Sequence, residues 1–445
     1  MAQDPRLTQP HHPTGHDKDS DDVGQEAPSQ PTTTESPSAQ STEFIDPFIE
    51  QKTADISDAC KSKDAARLRV LAQTRAGLVS DELRQQAWPI LLGVPSHDAT
   101  DSSVGEKTDA STNALLFGDW KELPPHADED QVKLDVDRSF VYYPRSTLPT
   151  GPHPADICPV IDQSDADLDK RKSELSVLII EVLRRYPFLC YFQGYHDICQ
   201  VFVLVLPREL RASAVARLSV LRIRDFMLPN LAATTAQLRL LPDIIGRADT
   251  RLWRHLVGVE PFYALSGTLT MYAHNVEAYH DISRLFDVFL AREPVFSIYM
   301  FAQIVISRRE EIFDIDDPDI LHVILSKVPP GADFDKLIED SVKLFDRHPP
   351  ETLRSWKSIS DASALKTMRH IDTDTDQTLE EGSEHFEQQV NELKWAEFQD
   401  RVRATLWAYR RPATTFGTAM AVGALAFYLR RNPAIVHHIT SLFSR

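Results

Sequence analysis

The chain has 445 residues, of which 42% are apolar, and its 48 Lys and Arg against 66 Asp and Glu give a net charge of -18. This length suits two average domains or one large helical domain with tails. A chain this acidic is repelled by phosphates, so we expect no nucleic acid among its partners. Its four cysteines lack CxxC spacing, which favours reduced thiols. Because Cys190, His196 and Cys199 have no fourth ligand nearby, we expect no metal site.

Residues 1–43 are rich in Pro, Ser, Thr, Gln and Asp and nearly free of large apolar side chains. Such a segment cannot bury enough surface to offset its chain entropy, and we predict a disordered tail. From residue 44 to residue 355 apolar residues recur at helical spacing, without a convincing period-two alternation. We therefore predict an all-α fold for 44–355, with irregular insertions at 96–113 and 145–170.

The first motif in this region is Gly77-Leu78 followed by Arg84-x-x-x-Trp88-Pro89. On a helix, Arg84 and Trp88 lie one turn apart on the same face. We expect Trp88 to be part of the core and Arg84 to be a buried or half-buried partner of a carboxylate, with Asp135 as the candidate.

The second motif is Val132-x-x-Asp135-x-x-Arg138. It places Asp135 and Arg138 three residues apart, which puts them on one face if the segment is helical. Taken alone, Arg138 is equally consistent with a surface salt bridge to Asp135 or Asp137. Whether Arg138 has a catalytic role therefore depends on the other motifs in the chain.

The third motif, Tyr191-x-Gln193-Gly194, lies on a short connection between two predicted helices. The first helix ends at Pro187, whose ring would clash with the preceding turn, and the second is an apolar run over 198–205. Gly194 permits a tight turn beside Gln193. A rigid scaffold commonly displays a working residue on such a connection, although a simple surface role for Gln193 stays open on this segment alone.

Together the three motifs resemble the signature of TBC-domain proteins, which activate Rab-type small GTPases, over roughly residues 65–350. The resemblance implies an all-helical TBC (Rab GAP) domain over 44–355 whose partner is a GTP-bound Rab. Such a chain accelerates GTP hydrolysis without being a GTP hydrolase itself. GTP and Mg²⁺ then belong to the partner, and we expect no cofactor bound by this chain.

The resemblance also implies roles for individual side chains. Arg138 corresponds to an arginine finger and Gln193 to a glutamine finger, both supplied in trans. Supporting or partner-binding roles fall on Asp135, Tyr191, Gly194, Arg84 and Trp88. The segment 262–274 resembles the conserved aromatic helix of the family, with Gly267 and Met271 standing where Trp is common.

The C-terminal part of the chain predicts a membrane attachment. Residues 356–388 are acidic and polar and predict a flexible linker, and 389–411 predict an amphipathic juxtamembrane helix. Within 412–430, the 17 residues 413–429 carry no charge and are bracketed by arginine pairs. A buried core helix is the alternative, but we predict a transmembrane tail anchor.

With this anchor, the chain resembles the tail-anchored subgroup of the family. The resemblance implies a location on the cytosolic face of the endoplasmic reticulum or early Golgi membrane. It also implies a Rab of the early secretory pathway as substrate, with the lipid bilayer as a second partner.

A catalytically silent, membrane-anchored helical scaffold that binds a GTPase or another partner is the alternative function. The joint presence of Arg138 and Gln193 argues against it, because a pure binding module has no need of that pair. A helical tethering protein, in which the acidic segment and the C-terminal helix are the main parts, would leave the three motifs unexplained.

Overall fold

The computed structural model describes residues 46–95, 119–141, 165–370 and 377–433. The tail predicted over 1–43 and the insertion predicted at 96–113 lie outside the described residues. Most of the insertion predicted at 145–170 lies outside them as well, but 165–170 belong to a helix. Within the described ranges all regular secondary structure is helical, which confirms the all-α prediction.

Helix starts follow local signals in the sequence. The side chains of Asp46, Asp64 and Asp333 accept backbone N–H groups at the first turns of three helices, which satisfies donors that the helix itself leaves unpaired. Within the described ranges the α-helices are α1 Pro47–Lys61, α2 Ala65–Gln73, α3 Asp81–Leu91, α4 Glu129–Val136, α5 Asp165–Arg185, α6 Tyr195–Val205, α7 Arg208–Arg217, α8 Ala232–Leu238, α9 Leu240–Ala248, α10 Thr250–His255, α11 Leu265–Leu269, α12 Tyr279–Ala291, α13 Phe296–Ser307, α14 Arg309–Phe313, α15 Pro318–Leu325, α16 Phe334–Arg347, α17 Ala364–Thr367 and α18 Leu379–Arg431.

The core is built around α3, α6 and α12, which contact one another through large aromatic side chains. Trp88 of α3 is fully buried, and its ring packs against Phe202 of α6 at 5.6 Å and Phe286 of α12 at 6.0 Å between ring centroids. Fully burying an aliphatic or aromatic side chain of this kind stabilises the fold by about 1.5–3 kcal/mol. These contacts join segments that are almost 200 residues apart in the chain, and they make the frame on which the motifs are displayed.

Residues 262–274 differ from the expected aromatic helix. A 3₁₀ helix over Pro261–Ala264 leads into the short helix α11, and Met271 and Tyr272 follow it with φ of +48° and +67°, in the left-handed region that cannot continue a right-handed helix. A Cβ at Gly267 would lie 3.0 Å from Cε2 of Phe301. A side chain at position 267 would therefore force Phe301 to shift, which favours glycine at this position.

The acidic segment 356–388 differs from the predicted flexible linker, because it is folded at both ends. Trp356, Ile359 and Leu365 are buried in the core, and α18 already begins at Leu379. The apolar residues scattered among the charges bury enough surface to order these stretches. The juxtamembrane helix predicted over 389–411 is likewise not a separate element, since α18 continues without a break to Arg431.

The transmembrane anchor predicted over 412–430 is not supported. Among the helices within the described ranges, none combines the length and the apolar character needed to cross a membrane. The uncharged stretch 413–429 has 17 residues, including three threonines and two glycines. A hydrocarbon core of ~30 Å needs about 20 predominantly apolar residues in a helix.

Candidate functional site

Asp135 is the centre of the second motif. It lies near the end of α4, and its carboxylate is fully buried. Oδ1 accepts a hydrogen bond from Gln131 Nε2 at 3.1 Å and forms an ion pair with Arg138 Nη2. Oδ2 accepts from the hydroxyl of Tyr191 at 3.0 Å. A buried carboxylate needs such partners, because an unpaired charge in the interior is costly.

Arg138 follows α4 and lies in a turn rather than on the helical face that the sequence analysis considered. Its side chain is 64% exposed, although its Nη2 still pairs with Asp135. Two residues later Phe140 adopts φ +61°, and its N–H donates to Oε1 of the buried Gln200 of α6 at 2.7 Å. The backbone around Arg138 is therefore fixed, while most of the guanidinium faces solvent.

Gln193 lies on the connection 186–194 between α5 and α6, as the sequence analysis predicts. Two backbone amides fix this connection: Cys190 N donates to Met227 O at 2.9 Å, and Tyr191 N donates to Asp128 Oδ2 at 2.9 Å. The Gln193 side chain itself is exposed. The structure thus exposes an uncharged amide on a short segment, and two hydrogen bonds to other parts of the chain fix the backbone of that segment.

Gly194 forms the turn between Gln193 and α6. Its φ of +106° is a conformation that L side chains rarely adopt. A Cβ at this position would also lie 2.6 Å from Cγ2 of Thr270, which is closer than real Cβ atoms come. Glycine is therefore required here for both conformation and space.

The second and third motifs are joined by a hydrogen-bonded cluster under the exposed side chains. Tyr191 OH donates to Asp135, and His196 Nδ1 lies 3.0 Å from the same hydroxyl. His196 Nε2 lies 3.4 Å from Asp197 Oδ1, and His274 Nδ1 lies 3.1 Å from Asp197 Oδ2. Because the Tyr191 hydroxyl donates its only proton to Asp135, it accepts in its contact with His196, and His196 Nδ1 is the donor.

Burial and charge shift the titration of this cluster. Burial first, and the negative charge of Asp135 second, raise the pKa of Tyr191 far above its ordinary value, so the hydroxyl remains a donor at physiological pH. Burial lowers the pKa of His196 despite its two neighbouring carboxylates. The hydrogen bond to Asp197 raises the pKa of the more exposed His274. The pKa values of the two histidines are therefore shifted in opposite directions, and His274 takes up a proton at a higher pH than His196 does.

Arg84 and Trp88 belong to a different network, away from this cluster. Arg84 is buried, and its Nε donates to Asp287 Oδ1 at 3.0 Å while its Nη1 donates to Asp81 at 2.9 Å. Trp88 Nε1 donates to the same Asp287 at 2.8 Å. The hypothesis that Arg84 pairs with Asp135 is wrong, because Arg84 donates to Asp287 and Asp81 instead. Asp135 is paired with Gln131, Arg138 and Tyr191.

Two site residues were missed by the sequence analysis as functional partners. His196 lies two residues after the glutamine motif, so its position was a usable signal. Asp287 is the one buried acid of α12 and lies beside the apolar stripe of that helix, where a buried charge demands a partner. The stripe consists of Ile282, Leu285, Phe286, Phe289 and Leu290.

Metal chemistry has no visible support in this cluster. In the part of the chain that the structure describes, no group of three or more His, Cys, Asp or Glu side chains is arranged to hold a metal ion. Cys199 is buried in α6, and burial raises the pKa of its thiol, which keeps it protonated and a poor ligand.

Comparison with known proteins gives the family. Residues 81–313 match the Rab-GTPase-TBC domain. TBC1 domain family member 20 of Mus musculus is 34% identical over 308 residues, which cover 68% of this chain and 69% of that protein. GTPase-activating protein gyp10 of Schizosaccharomyces pombe is 30% identical over 299 residues, which cover 66% of this chain and 72% of that protein. The chain therefore belongs to the Rab-GTPase-TBC domain family.

Proposed function

We propose that this chain stimulates GTP hydrolysis by a Rab-type small GTPase, with Arg138 and Gln193 supplied in trans as the two catalytic side chains. One observation carries the proposal. The exposed Arg138 follows Asp135 by three residues, the exposed Gln193 follows Tyr191 by two, and Asp135 and Tyr191 share a hydrogen bond of 3.0 Å. This hydrogen bond thus joins the backbone segment that carries Arg138 to the segment that carries Gln193.

The chemistry of GTP hydrolysis requires two corrections that these side chains supply. The developing charge on the transferring phosphoryl group must be neutralised, and the attacking water must be held in place. Arginine stays ionised and offers a planar fork to phosphate oxygens. The ion pair with Asp135 engages one Nη group of Arg138, which leaves further N–H donors for a phosphate. The neutral amide of Gln193 can accept from a water and donate to a phosphate oxygen at once.

The test is single-turnover GTP hydrolysis by a panel of GTP-loaded Rabs, with the full chain added in excess. The panel begins with Rabs of the endoplasmic reticulum and Golgi, the class that the sequence analysis expects. We expect Arg138→Ala to lower the stimulated rate by about 10³- to 10⁵-fold, which is the contribution of an arginine finger. Arg138→Lys should fail almost as badly, because a single ammonium does not reproduce the fork.

Gln193→Ala tests the second side chain in the same assay. Arg208→Ala is the matched control, since Arg208 has a similarly exposed side chain (67%) and lies on α7. The control should stimulate GTP hydrolysis by the Rab at the wild-type rate. Stimulation by Arg138→Ala at the wild-type rate contradicts the proposal. A Rab that binds the wild-type chain without faster hydrolysis identifies the silent scaffold instead.

A further inference from the structure

Helix α18 begins against the domain core at unusually close range. Gly382, in its second turn, has no room for a side chain: a Cβ would lie 2.6 Å from Val220 Cγ1 and 2.8 Å from Leu221 Cδ2. A glycine inside a helix is destabilising relative to alanine, so its presence here reflects the close approach. Just before the helix, Gln377 O accepts from Arg217 Nη2 at 3.1 Å, which fixes where α18 starts.

One turn later, α18 contacts the connection 186–194 directly. Phe386 is 3% exposed, and its ring lies against that of Phe188, with 5.0 Å between the ring centroids. Phe188 precedes Gln193 by five residues on the same connection. A side chain of α18 therefore packs directly against the connection that carries the glutamine motif.

A second route runs through a buried carboxylate. Gln389 of α18 is 2% exposed, and its Nε2 donates to Oδ1 of Asp225 at 2.8 Å. Asp225 is itself buried and also accepts from Ala364 N at 3.0 Å and Gln237 Nε2 at 2.5 Å. The amide of Gln389 thus fixes α18 to the short turn that contains Asp225.

That turn, a 3₁₀ helix over Arg224–Met227, holds the glutamine connection at two further points. Met227 O accepts the hydrogen bond from Cys190 N at 2.9 Å. The ring of Phe226 packs edge-on against Phe192, the neighbour of Gln193, at 6.2 Å. Helix α18 therefore supports this connection both directly and through the turn.

We propose that the first turns of α18, residues 379–389, position Gln193, with Phe386 and Gln389 as positioning residues. This segment lies outside residues 81–313, which match the family. The proposal rests on the function proposed above and adds a requirement to it: the catalytic unit of this chain extends to the start of its C-terminal helix. Both side chains are buried, and they act on Gln193 through the backbone of the connection.

The test uses the full chain with Phe386→Ala and Gln389→Ala. The hydrolysis rate at saturating chain should fall by about ten- to a hundredfold, the effect of a small misplacement of a catalytic group. Affinity for the GTP-bound Rab should change less than about twofold, because the loss falls on chemistry rather than on docking. Phe386→Leu keeps an apolar side chain in place and should recover much of the rate.

Phe398→Ala is the matched control, because Phe398 lies on the same helix and is 52% exposed. Hydrogen exchange of the backbone amides provides a readout that does not depend on activity. Exchange over 188–194 should accelerate in Phe386→Ala while exchange in α12 stays unchanged, and the control should alter neither. Faster exchange throughout the domain would show a general loss of stability and overturn the positioning role.

The outcomes separate the two proposals. An active wild-type chain with Phe386→Ala and Gln389→Ala at wild-type rates overturns only the role of α18. A wild-type chain that accelerates no Rab overturns the proposed function and this inference together.

Discussion

At the scale of single residues, Tyr191 connects the two motifs of the candidate site. Its hydroxyl donates to the buried Asp135 at 3.0 Å and accepts from His196 at 3.0 Å. Burial and the charge of Asp135 raise the pKa of Tyr191, which keeps the donated proton in place. The hydroxyl thus links the segment that carries Arg138 directly to the segment that carries Gln193.

Tyr191→Phe removes this link and keeps the ring, which packs against Tyr195 at 6.1 Å. A hydrogen bond to a charged group contributes about 1.5–3 kcal/mol, so we expect the free energy of unfolding to fall by about that amount. If the substitution also positions Arg138 and Gln193 less well and so raises the activation free energy by about 1.4 kcal/mol, the stimulated hydrolysis rate drops about tenfold. Urea unfolding and single-turnover hydrolysis measure the two effects.

Tyr299→Phe is the control for that substitution. Its hydroxyl donates to His348 O at 2.5 Å in a buried region formed by other helices. The control should lose stability without losing the stimulated rate per folded molecule. Equal rates for Tyr191→Phe and Tyr299→Phe would contradict a role for the Tyr191 hydroxyl in catalysis.

At the scale of elements, the turn at Gly194 allows two contributions to stability to be measured separately: the strain of a positive φ and the clash of an added Cβ. Gly194 and Gly258 have nearly the same φ, +106° and +101°. A Cβ at Gly258 would meet nothing within 4 Å, whereas one at Gly194 would lie 2.6 Å from Thr270 Cγ2. An alanine at Gly258 therefore adds only backbone strain, and an alanine at Gly194 adds strain and a clash.

We expect Gly258→Ala to lower the free energy of unfolding by about 1–2 kcal/mol, the cost of the left-handed conformation. Gly194→Ala should cost clearly more and should reduce stimulated hydrolysis, because Gln193 is the adjacent residue. Thr270→Ser removes Cγ2, so the double variant Gly194→Ala, Thr270→Ser should recover part of the loss. Equal losses for the two single alanine variants, measured by urea unfolding, would show that the clash relaxes without cost.

Helices with strong apolar periodicity were predictable from the sequence, and the reasons are local. The spacing of Leu175, Leu178, Ile179, Val182 and Leu183 indicates α5, and those five residues are buried in the structure. Over 262–274 the same reasoning failed, because left-handed φ at Met271 and Tyr272 is set by tertiary packing and not by the local pattern. Similarly, the uncharged run 413–429 has the flanks of a membrane span without its length.

At the scale of the whole molecule, the sequence does not show which distant residues meet. The motif residues Arg84 and Trp88 were identified, but their partner Asp287 lies about 200 residues further along the chain. The partner suggested by the motifs, Asp135, is instead satisfied by near neighbours and by Tyr191. The packing of Phe386 on Phe188 was hidden in the same way, within a segment that its charges made look unstructured.

Asp287 is the residue on which these long-range contacts converge. Its carboxylate accepts from Arg84 Nε at 3.0 Å, Trp88 Nε1 at 2.8 Å and Leu78 N at 2.9 Å, and it is fully buried. Burial alone would lower the pKa of Arg84, but the charge of Asp287 and its hydrogen bonds more than offset this and raise it, so the guanidinium remains ionised. The carboxylate of Asp287 thus joins the start of the domain to α12 through both side-chain and backbone donors.

Asp287→Ala would leave the buried Arg84 with Asp81 as its remaining carboxylate partner and would strand the N–H groups of Trp88 and Leu78. Removing one partner of a buried ion pair costs about 3–5 kcal/mol, and we expect the free energy of unfolding to fall by that amount. Asp130→Ala is the control: it breaks an ion pair with Lys133 in which both side chains are exposed, which should cost no more than about 1 kcal/mol. Urea unfolding followed by tryptophan fluorescence compares the two. A loss for Asp287→Ala as small as the control's would mean that water reaches Arg84. The contact between α3 and α12 would then depend on the packing of Trp88 against Phe286 and on the hydrogen bond from Tyr279 to Asp81.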